Sequence, residues 1–352
     1  MVRDAVALGE CTRALVVKLR HYGDVLLAAP VISVLKAHAP GLEVDALVYD
    51  DTAPMLEGHP ALAELHCIGR KWRSLGVWAQ LRNERTLFGA LRARRYDLLV
   101  HLTEHPRGAW LARLLGVRHA VAPIVRARGR WWSQSFTHLY PIAHHRHMVE
   151  VNLDALRRIG VQPGLQQRNV HFVPGDAAER RVDALGLPAD FVHMHPASRW
   201  HFKCWPAARN AELADRLAAE GHPVVLTSAP DETPFIDEIL GRTASAPLNL
   251  AGRLTLKELG ALTARARLFI GVDSMPMHLA AAMGTPTVAL FGPSGEDEWG
   301  PWAVERRVIT STHTCRPCGL DGCGGGKVSE CLTLLPVDAV HAAARELLAQ
   351  AA

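Results

Sequence analysis

Seven short apolar runs, most of them rich in β-branched residues, recur along the chain with helical patterns between them. This alternation restricts the fold more than any other feature. The runs fall at residues 14–19 (ALVVKL), 44–49, 97–102 (DLLVHL), 191–195 (FVHMH), 223–227 (PVVLT), 268–272 (LFIGV) and 287–291 (TVALF). Runs of this kind suit strands of a parallel sheet covered by helices. Helical patterns are expected near 25–38, 75–94, 207–220, 234–240, 256–266, 276–283 and 337–351. Residues 126–147, dense in Arg, His and Trp, break the pattern and are expected to form a loop or interdomain segment. A length of 352 residues suits two domains. The expectation is an α/β protein of two Rossmann-like domains facing a central cleft, divided as 1–165 and 166–352. The final helix, 337–351, is expected to pack back on the N-terminal domain.

A chain with 49% hydrophobic and 21% charged residues is not disordered by composition. Its longest nearly apolar stretch, 25–35, is too short for a membrane span and contains Pro30 and Ser33. Asp4 and Glu10 precede any apolar run, so a cytoplasmic protein without a secretory signal is expected. The net charge of +4 conceals a division. Residues 1–160 hold 22 basic and 14 acidic side chains (+8), and the remainder hold 17 and 21 (−4). A basic half suits an anionic partner such as nucleic acid, membrane headgroups or a phosphorylated substrate, although a solvated Arg-rich surface has the same composition.

Familiar phosphate motifs are missing. No Gly-x-Gly-x-x-Gly follows the first strand, which disfavours a dehydrogenase, and Gly324-Gly325-Gly326-Lys327 fails as a P-loop at both ends. No Asp-x-Asp of the metal-holding kind is found. Two other segments are better placed. In FIGVDSMPMH, residues 269–278, a buried strand ends at Gly271-Val272 and Pro276 opens a helix, whose free N–H groups form an anion site with Ser274 beside them. His278 lies one turn further on the same face. Asp273 or Ser274 capping the helix, with His278 in the core, fits the spacing equally. In HPASRWHFKCWP, residues 195–206, Ser198, Arg199 and Lys203 leave the carboxyl end of a strand, where open α/β sheets bind ligands. Two cations and a hydroxyl there would neutralise a diphosphate without metal. Gly23-Asp24 follows the first strand, where Asp24 is a general base, a helix N-cap, or both.

These segments, with VVKLRHYGDVLLAAPVISVLK at residues 16–36, resemble the lipopolysaccharide heptosyltransferases of glycosyltransferase family 9 over nearly the whole chain. The middle segment and PMHLAAAMGTPTVALFGPS are most similar to the type that adds the third heptose of the inner core. The resemblance implies a GT-B fold and an inverting, metal-independent transfer needing no cofactor. It implies ADP-L-glycero-D-manno-heptose as donor and a heptose of the phosphorylated core as acceptor. Asp24 then matches the family's general base, Ser198 and Lys203 its diphosphate contacts, and Asp273, Ser274 and His278 its donor loop. Glu232 falls near a nucleotide contact. Met275 stands after Ser274 where some relatives have glycine, so the backbone contacts there are open. A lipid acceptor implies transient contact with the cytoplasmic membrane surface and a location peripheral to the inner membrane. Transfer of another sugar, or of heptose to another core position, is the alternative within this fold. A non-catalytic nucleic-acid binder using the basic half would leave both phosphate segments unexplained, so no nucleic-acid partner is expected.

Seven cysteines include Cys315, Cys318, Cys323 and Cys331, four thiols within 17 residues of Gly-rich sequence. The spacing suits a structural zinc site, free thiols, or disulfides formed on oxidation.

Overall fold

The computed structural model describes residues 4–350, the side chain of residue 73 aside. The chain divides into one unit ending at His171 and another beginning at Phe172. That boundary falls later than residue 165 because the following segment packs on the first unit. The short helix Leu165–Arg168 lies against the helix Ala29–His38. Arg168 pairs with Glu150 at 2.9 Å, and the His171 ring meets His59 edge-on at 5.6 Å.

The first unit holds β1 (Arg13–Val17), β2 (Glu43–Tyr49), β3 (Glu64–Ile68), β4 (Leu98–His101), β5 (His119–Pro123) and β6 (His138–Tyr140). They form one parallel sheet in the order β3-β2-β1-β4-β5-β6. The second holds β7 (Val192–His195), β8 (Val224–Leu226), β9 (Leu248–Asn249), β10 (Leu268–Val272), β11 (Thr287–Phe291) and β12 (Arg306–Thr310). Its sheet is also parallel, in the order β9-β8-β7-β10-β11-β12. Each unit therefore repeats the 3-2-1-4-5-6 Rossmann order, all strands parallel, with the order of succession reversing between its first and fourth strands. β10 and β11 are buried at every residue, which is why their sequences read as unbroken apolar runs.

Two expectations fail here. The helix expected at 25–38 is two helices, Tyr22–Leu26 and Ala29–His38. Pro30 lacks an N–H and its ring would clash with the carbonyl of Leu26, so one helix cannot run through. Residues 126–147 are part of the first unit. Within them β6 extends the sheet, and Trp132 is 1% exposed with Nε1–H donating to the Pro123 carbonyl at 2.9 Å. The final helix, Val337–Gln350, is part of the second unit. Val340, Ala344 and Leu347, spaced by three and four, enter the second unit's own core against β10, β11 and the helix Ala207–Ala219.

Candidate functional site

Strand register assembles the phosphate segments. β7 and β10 flank the reversal point of the second sheet, and His195 of β7 lies opposite Gly271 of β10. The loops leaving the two strands thus begin side by side. A side chain at residue 271 would place Cβ 2.7 Å from the Phe269 ring and 3.1 Å from the His195 carbonyl, so the strands approach this closely because Gly271 has none.

From the first loop, Lys203 reaches across, and its Nζ donates to Asp273 Oδ2 at 2.6 Å. Asp273 is 7% exposed; it holds the ammonium in place at the mouth of the second loop. Ser274 stands at the N-cap of the helix Met275–Ala282 in extended conformation, its hydroxyl turned back to the Val272 carbonyl at 3.4 Å. Ser274 and Met275 are half-buried, whereas His278 packs inside with its ring 6.3 Å from Trp299. Arg199 is exposed, with its guanidinium 5.4 Å over the Trp200 ring. Ser198, Arg199 and Glu232 line a cavity of about 390 Å³ with Cys204, Pro234 and Phe235. That volume lies in the range of small-molecule sites. The structure therefore groups the candidates as an ion pair at the strand ends and an adjoining pocket, with His278 set back in the core.

Beneath the pocket runs a polar chain that sequence reasoning missed. Thr263 Oγ1 donates to the Leu259 carbonyl at 2.6 Å, so towards His193 Nδ1, 3.1 Å away, it accepts. His193 Nε2 is then left as an acceptor for the Thr227 hydroxyl at 2.7 Å. That hydroxyl in turn accepts from His195 Nδ1–H at 2.8 Å. The donor count leaves His195 Nε2 as a bare lone pair, 3.9 Å from Glu232 Oε2. Burial holds both imidazoles neutral, pushing His195 down to about 3. Burial also raises the Glu232 carboxyl, against the pull of the Ala229 N–H that it accepts. Two acceptors facing one another in a dry corner suit a ligand that brings hydrogen-bond donors, such as a sugar hydroxyl. The signal in the sequence was the pair of histidines in FVHMH, both on one face of the strand.

In the first unit Asp24 is the third residue of Tyr22–Leu26, with His21 at the N-cap. It is half-buried and is not the cap. Lys18, one residue past β1, is 3% exposed; its ammonium donates to Asn152 Oδ1 at 2.9 Å and the Leu102 carbonyl at 3.3 Å. Burial lowers its pKa to about 8, and the charge of Asp24 acts against that shift. A fixed cation thus sits within the field of the candidate base. A lone lysine inside VVKL was its signal.

The four clustered cysteines are free, three exposed and Cys331 buried, and each of the three is close enough for its charge to act on Cys331. Among the described residues, the one group of three whose ligand atoms lie within 4.8 Å of one another is Asp45, Glu64 and His66. Arg94 already fills it, at 2.7 Å from Asp45 and 3.4 Å from Glu64, so that cluster is an ion-pair network.

Residues 84–328 match the family model described as glycosyltransferase family 9 (heptosyltransferase). Lipopolysaccharide heptosyltransferase 3 of Escherichia coli is 38% identical over 291 residues, covering 81% of this chain and 85% of that protein. A glycosyltransferase family 9 structure from Veillonella parvula superimposes with a TM-score of 0.84 at 22% identity, covering 99% of both chains. The E. coli ADP-heptose lipopolysaccharide heptosyltransferase II structure gives 0.77 at 23% identity, covering 96% of this chain and 99% of that one. With the family's pattern matched over most of its length and its fold over nearly all of it, the chain belongs to glycosyltransferase family 9, the heptosyltransferases.

Proposed function

We propose that the protein transfers a heptose from ADP-L-glycero-D-manno-heptose to a heptose of the phosphorylated lipopolysaccharide inner core, with inversion and without a metal. The observation that carries the reading is the Lys203–Asp273 pair at the two strand ends, beside a pocket of nucleoside size. Relatives support the substrates: one is a lipopolysaccharide heptosyltransferase 3, and another carries ADP-heptose in its name.

In this mechanism Asp24 takes the proton of the acceptor hydroxyl, and the freed oxygen pair attacks the anomeric carbon. The bond from that carbon to the β-phosphate oxygen breaks and ADP departs with the electron pair. General-base help of this kind is typically worth about 10²–10⁴-fold. A single displacement inverts the centre, as in other one-step sugar transfers. One proton of the Lys203 ammonium is held by Asp273, leaving two to meet the diphosphate, with Ser198, Arg199 and the N–H groups at the start of Met275–Ala282 beside it. These fixed donors stabilise the charge that builds on ADP, the task a metal performs in other transferases. Glu232 and His195 Nε2 receive the ribose hydroxyls. Proton NMR of the product tests the stereochemistry: one inverted anomer, formed equally with and without EDTA, is expected. A retained anomer or loss of rate in EDTA would overturn this part.

A zinc ion on Cys315, Cys318, Cys323 and Cys331 is a separate structural proposal. Lys327 of that loop lies 5.6 Å from the ring of Phe202, next to Lys203, so metal there would stiffen the donor side. Tetrahedral Zn–S bonds of about 2.3 Å require the thiols to draw together. Metal analysis showing no stoichiometric zinc would dispose of it. Contact with the cytoplasmic membrane surface belongs to the same reading, since the acceptor is a lipid. No helix is long and apolar enough to cross a membrane.

A further inference from the structure

The helix Val77–Arg94 has 18 residues and buries one of them, Leu91. Its start is nevertheless apolar: Val77 and Trp78 are 78% and 84% exposed, with Leu75 and Leu81 exposed beside them. An indole and three aliphatic side chains gathered in water mark a surface that meets something else. Further along the same helix, Phe88 borders an apolar groove of about 490 Å³ shared with Trp110 and Leu114, both more than half exposed.

Charge decides what that partner is. The helix carries Arg82, Arg85, Arg92 and Arg94 against a single acid, Glu84, and Glu84 is taken by a two-point ion pair with Arg107 at 2.6 and 2.7 Å. Arg82 follows Trp78 by one turn and Arg85 follows Leu81 likewise, so each exposed arginine flanks an exposed apolar side chain. A second copy of this chain would present the same positive face and be repelled. A sheet of anionic headgroups over hydrocarbon matches both features. We propose that the first turns of this helix seat the protein on an anionic phospholipid bilayer, with Trp78 and Leu81 in the headgroup boundary and Arg82 and Arg85 on phosphates. This deepens the proposed function, resting on it for the lipid nature of the acceptor, and its test needs no turnover.

The test is flotation of the full chain with phosphatidylglycerol/phosphatidylethanolamine vesicles and with phosphatidylcholine vesicles. Binding to the anionic vesicles alone, weakening as salt rises, is expected. Trp78→Ser/Leu81→Ser should lower partitioning by about tenfold or more, and Arg82→Gln/Arg85→Gln by about fivefold per arginine. Both variants should bind ADP as the wild type does, which shows that they are folded. Equal partitioning of wild type and Trp78→Ser/Leu81→Ser would overturn the proposal. So would a wild-type dimer in sedimentation that the same substitutions split. Heptose transfer to a delipidated, soluble core acceptor reads the proposed function separately: failure there would strike the enzyme reading and leave the vesicle result standing.

Discussion

Replacing Lys203 with alanine separates the proposed phosphate role of this residue from any general role in folding. Its Nζ is 2.6 Å from Asp273 Oδ2, and the two side chains are 22% and 8% exposed. In the proposed mechanism the substitution removes a charge-assisted bond to the diphosphate, worth about 1.5–3 kcal/mol. It also strips the partner from a nearly buried carboxylate that then faces the anionic ligand. Together these amount to about 2–4 kcal/mol, since breaking a fully buried pair costs about 3–5 kcal/mol and this one is partly screened. ADP affinity should fall by roughly 30- to 1,000-fold. Adenosine, which lacks the diphosphate, should bind nearly unchanged. Adding Asp273→Asn to Lys203→Ala should restore about 1 kcal/mol or more of the loss, because the repelling carboxylate is gone. Titration calorimetry with ADP and with adenosine on both variants and the wild type makes the comparison. Equal losses for the two ligands, or a double variant no better than the single one, would refute the reasoning.

Three further outcomes follow from buried groups. Lys18 titrates near 8 in the folded chain against 10.5 unfolded, so between those values the unfolded state binds more protons. Its contribution to stability therefore rises with pH across that window, by roughly 3 kcal/mol in full. Urea unfolding should show the wild type gaining on Lys18→Met from about pH 8 upward, and curves that stay parallel would contradict this. Thr227→Val removes the hydroxyl between His193 and His195 and strands two buried nitrogens, for a loss of roughly 2–5 kcal/mol. In the wild type, nitrogen NMR should find the His195 proton on Nδ1, and a proton on Nε2 would break the donor chain.

The alternation of apolar runs and helical patterns revealed every inner strand except β5. The rim strands β3, β6, β9 and β12 gave a weaker signal because an edge need not be apolar on both faces, and β5, paired on both sides, is built on small residues between His119 and Pro123. β12 begins Arg306-Arg307, and β9 is two residues long. The apolar stripe of the final helix states how much surface must be covered, and the second unit's core covers it. Among site residues, the two loops were readable because Gly271, Pro276 and the cluster from Ser198 to Lys203 carry local chemical signals. The Lys203–Asp273 contact was not, since it spans 70 residues of sequence and depends on the pairing of β7 with β10. The His193–Thr227–His195 chain and the burial of Lys18 against Asn152 and the Leu102 carbonyl, 134 and 84 residues away, were hidden for the same reason.

The central claim is heptose transfer with Asp24 as base, and the most direct measurement is ADP release from ADP-heptose supplied with core oligosaccharides of defined length. The account predicts release only when the acceptor carries a suitable inner-core heptose. It also predicts that Asp24→Ala abolishes release while binding ADP as tightly as the wild type. Release by the wild type with no acceptor preference, or substantial transfer by Asp24→Ala, would contradict it.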